Sequence, residues 1–181
     1  MRVATPAAVA RKVHLVLGVA EALLQRRVRS VLDVGCGEAP WRGPLRRARP
    51  ALRYVGVDSS DYVVSRFGRR RGIRKGTFGT LGQLGLRGKF DLVVCCDVLQ
   101  YVPTSELKAG LAAIAKLLGG VAYLEAYTTE DEIVGDRRAW HERSAASYKR
   151  AFRAVGLISI GMQCWVGDDL QPSTVALERA E

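Results

Sequence analysis

The chain has 181 residues, nearly half of them apolar, enough for one domain around a sizeable core. Its 28 lysines and arginines against 18 acids leave a formal net charge of +10. The four cysteines, Cys36, Cys95, Cys96 and Cys164, have no CxxC or CxxH spacing, which argues against a structural zinc and for a reduced, cytoplasmic chain without a metal.

Thr5 and Pro6 form a helix start, a capping hydroxyl followed by proline at the first helical position. Val9, Val13, Val16, Leu17, Ala20, Leu23 and Leu24 then recur at spacings of three and four, predicting an amphipathic helix over 6–27. The apolar stretch inside it, VHLVLGVAEALL, is too short for a bilayer span and is not laid out as a signal peptide, so no membrane partner is expected. Strand-length apolar runs follow at 31–34, 53–57, 73–78, 90–96 and 121–127. Helical segments are predicted at 39–48, 61–67 and 103–118, with Gly119 and Gly120 stopping the last. Alternation of this kind implies a parallel sheet with helices on both faces. Residues 129–142 have no clean period and read as a loop; 144–155 reads as a helix. LISIGMQCWV (157–166) and STVALER (173–179) read as two strands joined by a short turn, and hence antiparallel. The fold class expected is α/β: a doubly wound, mostly parallel seven-stranded sheet with a C-terminal antiparallel hairpin and helices on both faces.

The charge is uneven. Residues 42–75 carry eleven basic side chains against Asp58 and Asp61, a balance of +9 that includes the run RFGRRRGIRK. Such a face attracts nucleic acid or acidic small molecules, or simply keeps outer helices solvated. Only Phe67 lies within the basic run, which gives little support for a base-stacking platform.

The chemistry concentrates in SVLDVGCGEAPW, from Ser30 to Trp41. In an open parallel sheet, ligands bind beyond the carboxyl ends of the strands where the strand order reverses. Gly35 and Gly37 stand at such a strand-to-helix turn. The dinucleotide fingerprint needs a third glycine at position 40, where this chain has Pro40, which argues against a nicotinamide or flavin. Asp33, two residues before the first glycine, offers a carboxylate to an ammonium or sulfonium charge. Asp58 closes the second strand 21 residues after Gly37, where a carboxylate accepts ribose hydroxyls. FDLVVCCDVLQYVP ends the fourth strand at Asp97 and turns through Gln100, Tyr101 and Pro103.

Together, DVGCG, VGVDSS and FDLVVCCDVLQYV resemble the motifs of class I S-adenosylmethionine-dependent methyltransferases, and the late strands resemble that fold's terminal hairpin. The resemblance implies S-adenosylmethionine as cofactor, with Asp33, Gly35, Cys36 and Gly37 at its methionine end. It puts Asp58 and Ser59 at the ribose and Asp97 at the end of the fourth strand beside the cofactor. The family commonly has an acid for adenine where Thr77 stands, so that contact is expected from the Thr77 hydroxyl, the Phe78 backbone and apolar packing. The form DVLQYV resembles the small-molecule branch rather than enzymes that methylate exocyclic amines of bases.

On the acceptor side, His141 is the expected base because imidazole titrates near neutral pH, with Tyr101 as a second catalytic candidate; Glu125 and the less favoured His14 are further candidates. Trp41, Tyr127, Trp140 and Tyr148 are expected to wall the acceptor pocket. The expected organisation is a single methyltransferase domain over 1–181. Residues 1–29 supply a helix capping the site, 30–128 the cofactor-binding core, and 129–181 the acceptor-side loop, helix and hairpin. The expected function is direct methyl transfer to oxygen or nitrogen of a small organic acceptor. The alternatives are a nucleic-acid methyltransferase using the arginine-rich face and a non-catalytic module that keeps the fold for partner contact.

Overall fold

The structure, a computed structural model, describes residues 5–132 and 139–176. One sheet contains β1 (Ser30–Val34), β2 (Arg53–Asp58), β3 (Ile73–Lys75), β4 (Phe90–Cys96), β5 (Leu118–Glu125), β6 (Ile158–Ser159) and β7 (Cys164–Val166), in the order β3-β2-β1-β4-β5-β7-β6. The first five strands are parallel; β7 runs antiparallel between β5 and β6. The strand order reverses between β1 and β4, which defines the place for a ligand.

Among the described residues, five α-helices cover the sheet: α1 (Pro6–Leu24), α2 (Arg42–Ala48), α3 (Asp61–Arg71), α4 (Thr104–Leu117) and α5 (Ala145–Arg153). Their starts follow from capping chemistry, since Thr5, Ser60 and Ser144 accept the N–H of Ala8, Val63 and Ser147. Strand period divides the core into two. Val31, Leu92, Val94, Val121 and Tyr123 face α1, α2 and α3, whereas Leu32, Val34, Val93, Cys95, Ala122 and Leu124 face α4 and α5. All five residues of β1 are buried, Asp33 among them.

Three expectations are corrected. The run 157–166 is not one strand but a complete hairpin, β6 and β7, because Gly161, Met162 and Gln163 take positive φ values of 84°, 50° and 60° and turn the chain back. Residues 171–173 form a helical turn rather than the start of a last strand, and 177–179 lie outside the described residues. Gly119 and Gly120 do not stop α4, which passes straight into β5; they are strand residues. A Cβ on Gly120 would lie 2.0 Å from the Asp91 carbonyl oxygen, so it is the close approach of β4 that requires glycine.

Candidate cofactor and acceptor site

The turn after β1 is held by the end of β2. The N–H groups of Gly35 and Cys36 both donate to the Val57 carbonyl, at 2.8 and 3.1 Å. Asp58 clamps the same turn: one carboxylate oxygen accepts the Gly37 N–H at 2.7 Å and the other the Ser60 N–H at 2.9 Å. Gly35 has φ +69°, and a Cβ there would come within 2.4 Å of Val98 Cγ2. Only glycine permits both the left-handed backbone and the approach of the segment after β4.

Beside this turn, at the carboxyl ends of β1 and β2, lies a cavity of about 210 Å³. Val34, Val57, Phe78, Val98, Val102 and Pro103 supply its apolar walls, and Gly35, Ser59, Thr77, Tyr101 and Glu106 also line it. Apolar walls with a few polar groups among them suit a base and sugar. Of the expected cofactor residues, Gly35, Ser59, Thr77 and Phe78 therefore meet at one cavity, with Asp58 bracing it through Gly37. The Thr77 hydroxyl is already engaged, donating to Glu106 Oε2 at 3.0 Å, so the carboxylate here comes from α4 rather than from residue 77.

Asp33 and Cys36 lie elsewhere. Asp33 projects from the face of β1 opposite Val34, is 2% exposed, and accepts the Tyr54 hydroxyl at 2.6 Å. Burial pushes its carboxyl up to about 7, against the opposing pull of the Tyr54 hydrogen bond. The Cys36 thiol packs where Gly56 leaves room for it, and burial raises its pKa far above the ordinary thiol range. Asp97 takes φ +60° and accepts the Gln100 side-chain amide; burial raises its carboxyl above the usual range.

On the same face as Asp33, α1 meets the ends of β4 and β5. Lys12 Nζ lies 2.6 Å from both Glu125 oxygens, the Tyr123 hydroxyl donates to Oε2 at 2.6 Å, and the Cys96 thiol lies 3.2 Å from it. Burial alone would raise the Glu125 carboxyl, but the hydrogen bonds from Lys12 and Tyr123 outweigh it and hold the group below its ordinary value. Trp41 packs on Tyr123 with ring centroids 5.6 Å apart and is 4% exposed, so it is a core residue under α1 and not an open pocket wall.

The other acceptor candidates divide. Trp140 stacks on Tyr127, centroids 5.8 Å apart and planes at 8°, and meets the edge of Tyr101 at 6.0 Å. Tyr101 thus belongs both to the cavity and to this aromatic cluster. His141 is exposed, next to the cluster, its backbone N–H bonded to the Gln100 carbonyl at 2.8 Å. Exposed His14 sits on α1. Tyr148 is buried against Phe152 in the α5 core, so it does not wall an acceptor pocket.

Two residues that line or brace the cavity have no motif to announce them. Besides Glu106, these include Arg143, which is 8% exposed and donates to the carbonyls of Leu99 and Val102, to Thr104 Oγ1 and to the Tyr148 hydroxyl, at 3.2, 2.7, 2.9 and 3.4 Å. It fastens the segment that carries Tyr101, Val102 and Pro103 into the cavity wall. Among the described residues, no group of three or more His, Cys, Asp or Glu side chains is placed to hold a metal, and no helix is long and apolar enough to cross a membrane.

A sheet of this order, with a glycine turn after β1, an acid closing β2 and a cavity between them, defines the class I methyltransferase fold. The chain belongs to the methyltransferase domain family, whose model matches residues 4–159. DesVI of Streptomyces venezuelae superposes with a TM-score of 0.69 at 18% identity, over 90% of this chain and 91% of its own. An amino pentose methyltransferase of Micromonospora echinaspora, solved with S-adenosylmethionine bound, gives 0.65 at 19% identity, over 85% and 87%. A curated relative, the magnesium-protoporphyrin O-methyltransferase of a Synechocystis strain, is 36% identical over 92 residues, which is 48% of this chain and 39% of that protein. The match therefore spans about two fifths of that relative.

Proposed function

We propose that the chain binds S-adenosylmethionine and transfers its methyl group to a small organic acceptor by direct displacement. One observation carries this reading: the cavity beside the Gly35 turn and the Tyr101–Trp140–Tyr127 cluster share a residue, Tyr101, so a cofactor site and an aromatic acceptor site adjoin. When bound, S-adenosylmethionine supplies a methyl group already activated by its sulfonium.

What remains for the protein is to hold, orient and dry the reactants. Each Asp58 oxygen accepts one backbone N–H and keeps lone-pair capacity for a ribose hydroxyl, so the acid holds sugar and glycine turn together. In its ionised form, Asp33 supplies negative charge behind the turn toward the ligand's cationic end. Tyr127 and Trp140 present parallel ring faces that order an acceptor and exclude water. Where the acceptor must lose a proton, His141 at the open edge takes it. Residues 6–24 close the acceptor side, pinned by Lys12 on Glu125.

Titration calorimetry with S-adenosylmethionine and S-adenosylhomocysteine, with a nicotinamide dinucleotide as control, tests the cofactor. Micromolar binding of the adenosyl ligands alone is expected. Absence of binding would overturn the reading and favour a non-catalytic module. Transfer of a labelled methyl group to a panel of phenols, carboxylic acids and amines then tests the acceptor class. Rates that fall steeply with salt would point instead to a phosphate-bearing substrate.

A further inference from the structure

β1 has the cavity of Val34 and Gly35 at its carboxyl end and a separate depression at its amino end, before Ser30. The depression, of about 360 Å³, is open to solvent and lies between residues 27–29 and the loop 49–52 that leads from α2 into β2. Backbone hydrogen bonds fix both walls: the Arg53 N–H donates to the Arg29 carbonyl at 2.9 Å and the Leu52 N–H to the Arg49 carbonyl at 3.1 Å. Among the described residues, three arginines and no acid line it. The neighbouring acids are already engaged. Glu21 accepts Arg49 Nε at 2.6 Å and the Val28 N–H at 2.9 Å on Oε1, and Arg49 Nη2 on Oε2. Asp91 accepts Arg26 on both oxygens, at 2.8 and 3.0 Å, and the Arg29 N–H at 2.6 Å. The Arg27 and Arg29 side chains are exposed and make no hydrogen bond to an acid and no ion pair among the described residues. The Arg49 hydrogen bond is the largest effect holding the Glu21 carboxyl below its ordinary value, and the Arg27 charge adds a smaller one from farther away.

We propose that this depression is a second ligand site, for a small phosphate-bearing anion such as a phosphate monoester or pyrophosphate. Here the guanidiniums of Arg26, Arg27, Arg29 and Arg49 meet the carboxylates of Glu21 and Asp91 alone, so two positive charges remain uncompensated. A phosphoryl group carries about −1.5 to −2 at neutral pH, which balances them, and its oxygens match the planar fork of a guanidinium. The two walls have different parts. Glu21 and the Ala48 carbonyl, the latter 2.6 Å from Nη1, hold Arg49 in place as a fixed wall. Arg27 and Arg29 lie across from it and are free to turn onto a ligand. The five residues of β1, about 17 Å of strand, separate this site from the cavity at the other end, so the anion is not the methyl acceptor.

Titration calorimetry with pyrophosphate at constant ionic strength tests the site on three proteins: wild type, the double variant Arg27→Gln with Arg29→Gln, and the double variant Arg69→Gln with Arg70→Gln. The last removes the same charge from exposed positions of α3 outside the depression. Wild type should bind pyrophosphate with a stoichiometry of one. The first variant should lose about tenfold or more in affinity, and the second should stay within about threefold of wild type. Malonate, a dianion without a phosphoryl group, should bind wild type about tenfold more weakly than pyrophosphate. That comparison needs no variant, so it decides the matter even if a substitution disturbs folding. Equal losses in the two variants would show diffuse attraction by the basic surface and refute the site. Malonate binding as tight as that of pyrophosphate, or no pyrophosphate binding by wild type, would also refute it. A short single-stranded oligonucleotide that displaces pyrophosphate, and is weakened equally by both variants, would replace the small-anion site with a track for a phosphate polymer.

Discussion

Replacing Asp33 by asparagine separates what a buried carboxylate costs from what it does. In the folded chain, burial against a weaker opposing hydrogen bond from Tyr54 moves the carboxyl from 3.8 to about 7. Between those pH values the native state holds a proton that the unfolded chain has released. Stability from this group is therefore complete below the unfolded value and is lost as pH rises through the folded one. A gap of that width corresponds to about 4 kcal/mol, taken as an upper bound. Asparagine keeps an oxygen for the Tyr54 hydroxyl but no charge. Urea denaturation across the acid-to-neutral range should show the variant more stable near neutrality, by up to that amount, with the advantage vanishing toward about pH 4. Above about pH 7, where the native carboxyl is ionised, the same variant should bind S-adenosylmethionine more weakly, since the charge behind the glycine turn is gone. Parallel stability profiles for the two proteins would refute the burial argument. A flattened profile with unchanged affinity would leave Asp33 as a structural acid only.

Arg143→Met removes the donors that fasten Leu99, Val102 and Thr104; a stability loss of about 2 kcal/mol is expected, with weaker S-adenosylhomocysteine binding, and both are read from melting curves with and without ligand. Lys12→Met leaves Glu125, whose side chain is 12% exposed, without its cation. Because Lys12 is itself 31% exposed, the loss should be modest, about 1 kcal/mol. The native Glu125 carboxyl lies below its unfolded value of 4.5, so its contribution is present above that pH and disappears as pH falls through the folded value; Glu125→Gln should remove that part of the acid transition. Trp140→Ala should raise the acceptor KM by roughly tenfold through the lost ring face, with cofactor affinity unchanged in the same preparation.

The parallel half of the fold is readable in sequence because its strands are buried on both faces and appear as uninterrupted apolar runs between amphipathic helices. The antiparallel end is harder for the same reason in reverse. LISIGMQCWV is as apolar as a buried strand, yet the turn lies inside it, at Gly161, Met162 and Gln163. A lone glycine followed by two ordinary residues in left-handed conformation gives no pattern that separates a hairpin from a continuous strand. The passage from α4 into β5 is similar: Gly119 and Gly120 carry a helix-stop signal, but their small size answers the neighbouring strand β4.

Positions in the site were legible where the chemistry is local and not where it depends on which face a residue takes. Gly35 and Asp58 are set by the turn and by the end of a strand, so their places follow from their order in the chain. Asp33 shows the limit. Val34 lines the cavity, and the alternation of a strand sends the side chain before it to the opposite face, toward Tyr54. Reading DVGCG as a string places Asp33 at the ligand; reading it as a pleated strand turns Asp33 away from the cavity that Val34 lines. Glu106 and Arg143 have no such local signature, since each acts on a segment far from it in sequence, residues 77–79 and 99–104 respectively. Their roles depend on how α4 and the segment before α5 lie against the loops after β3 and β4. Thr77, which lacks the acid expected of it, is the one local clue. The Glu106 carboxylate, which the first turn of α4 brings to the Thr77 hydroxyl and the Gly79 N–H, is found only from that packing.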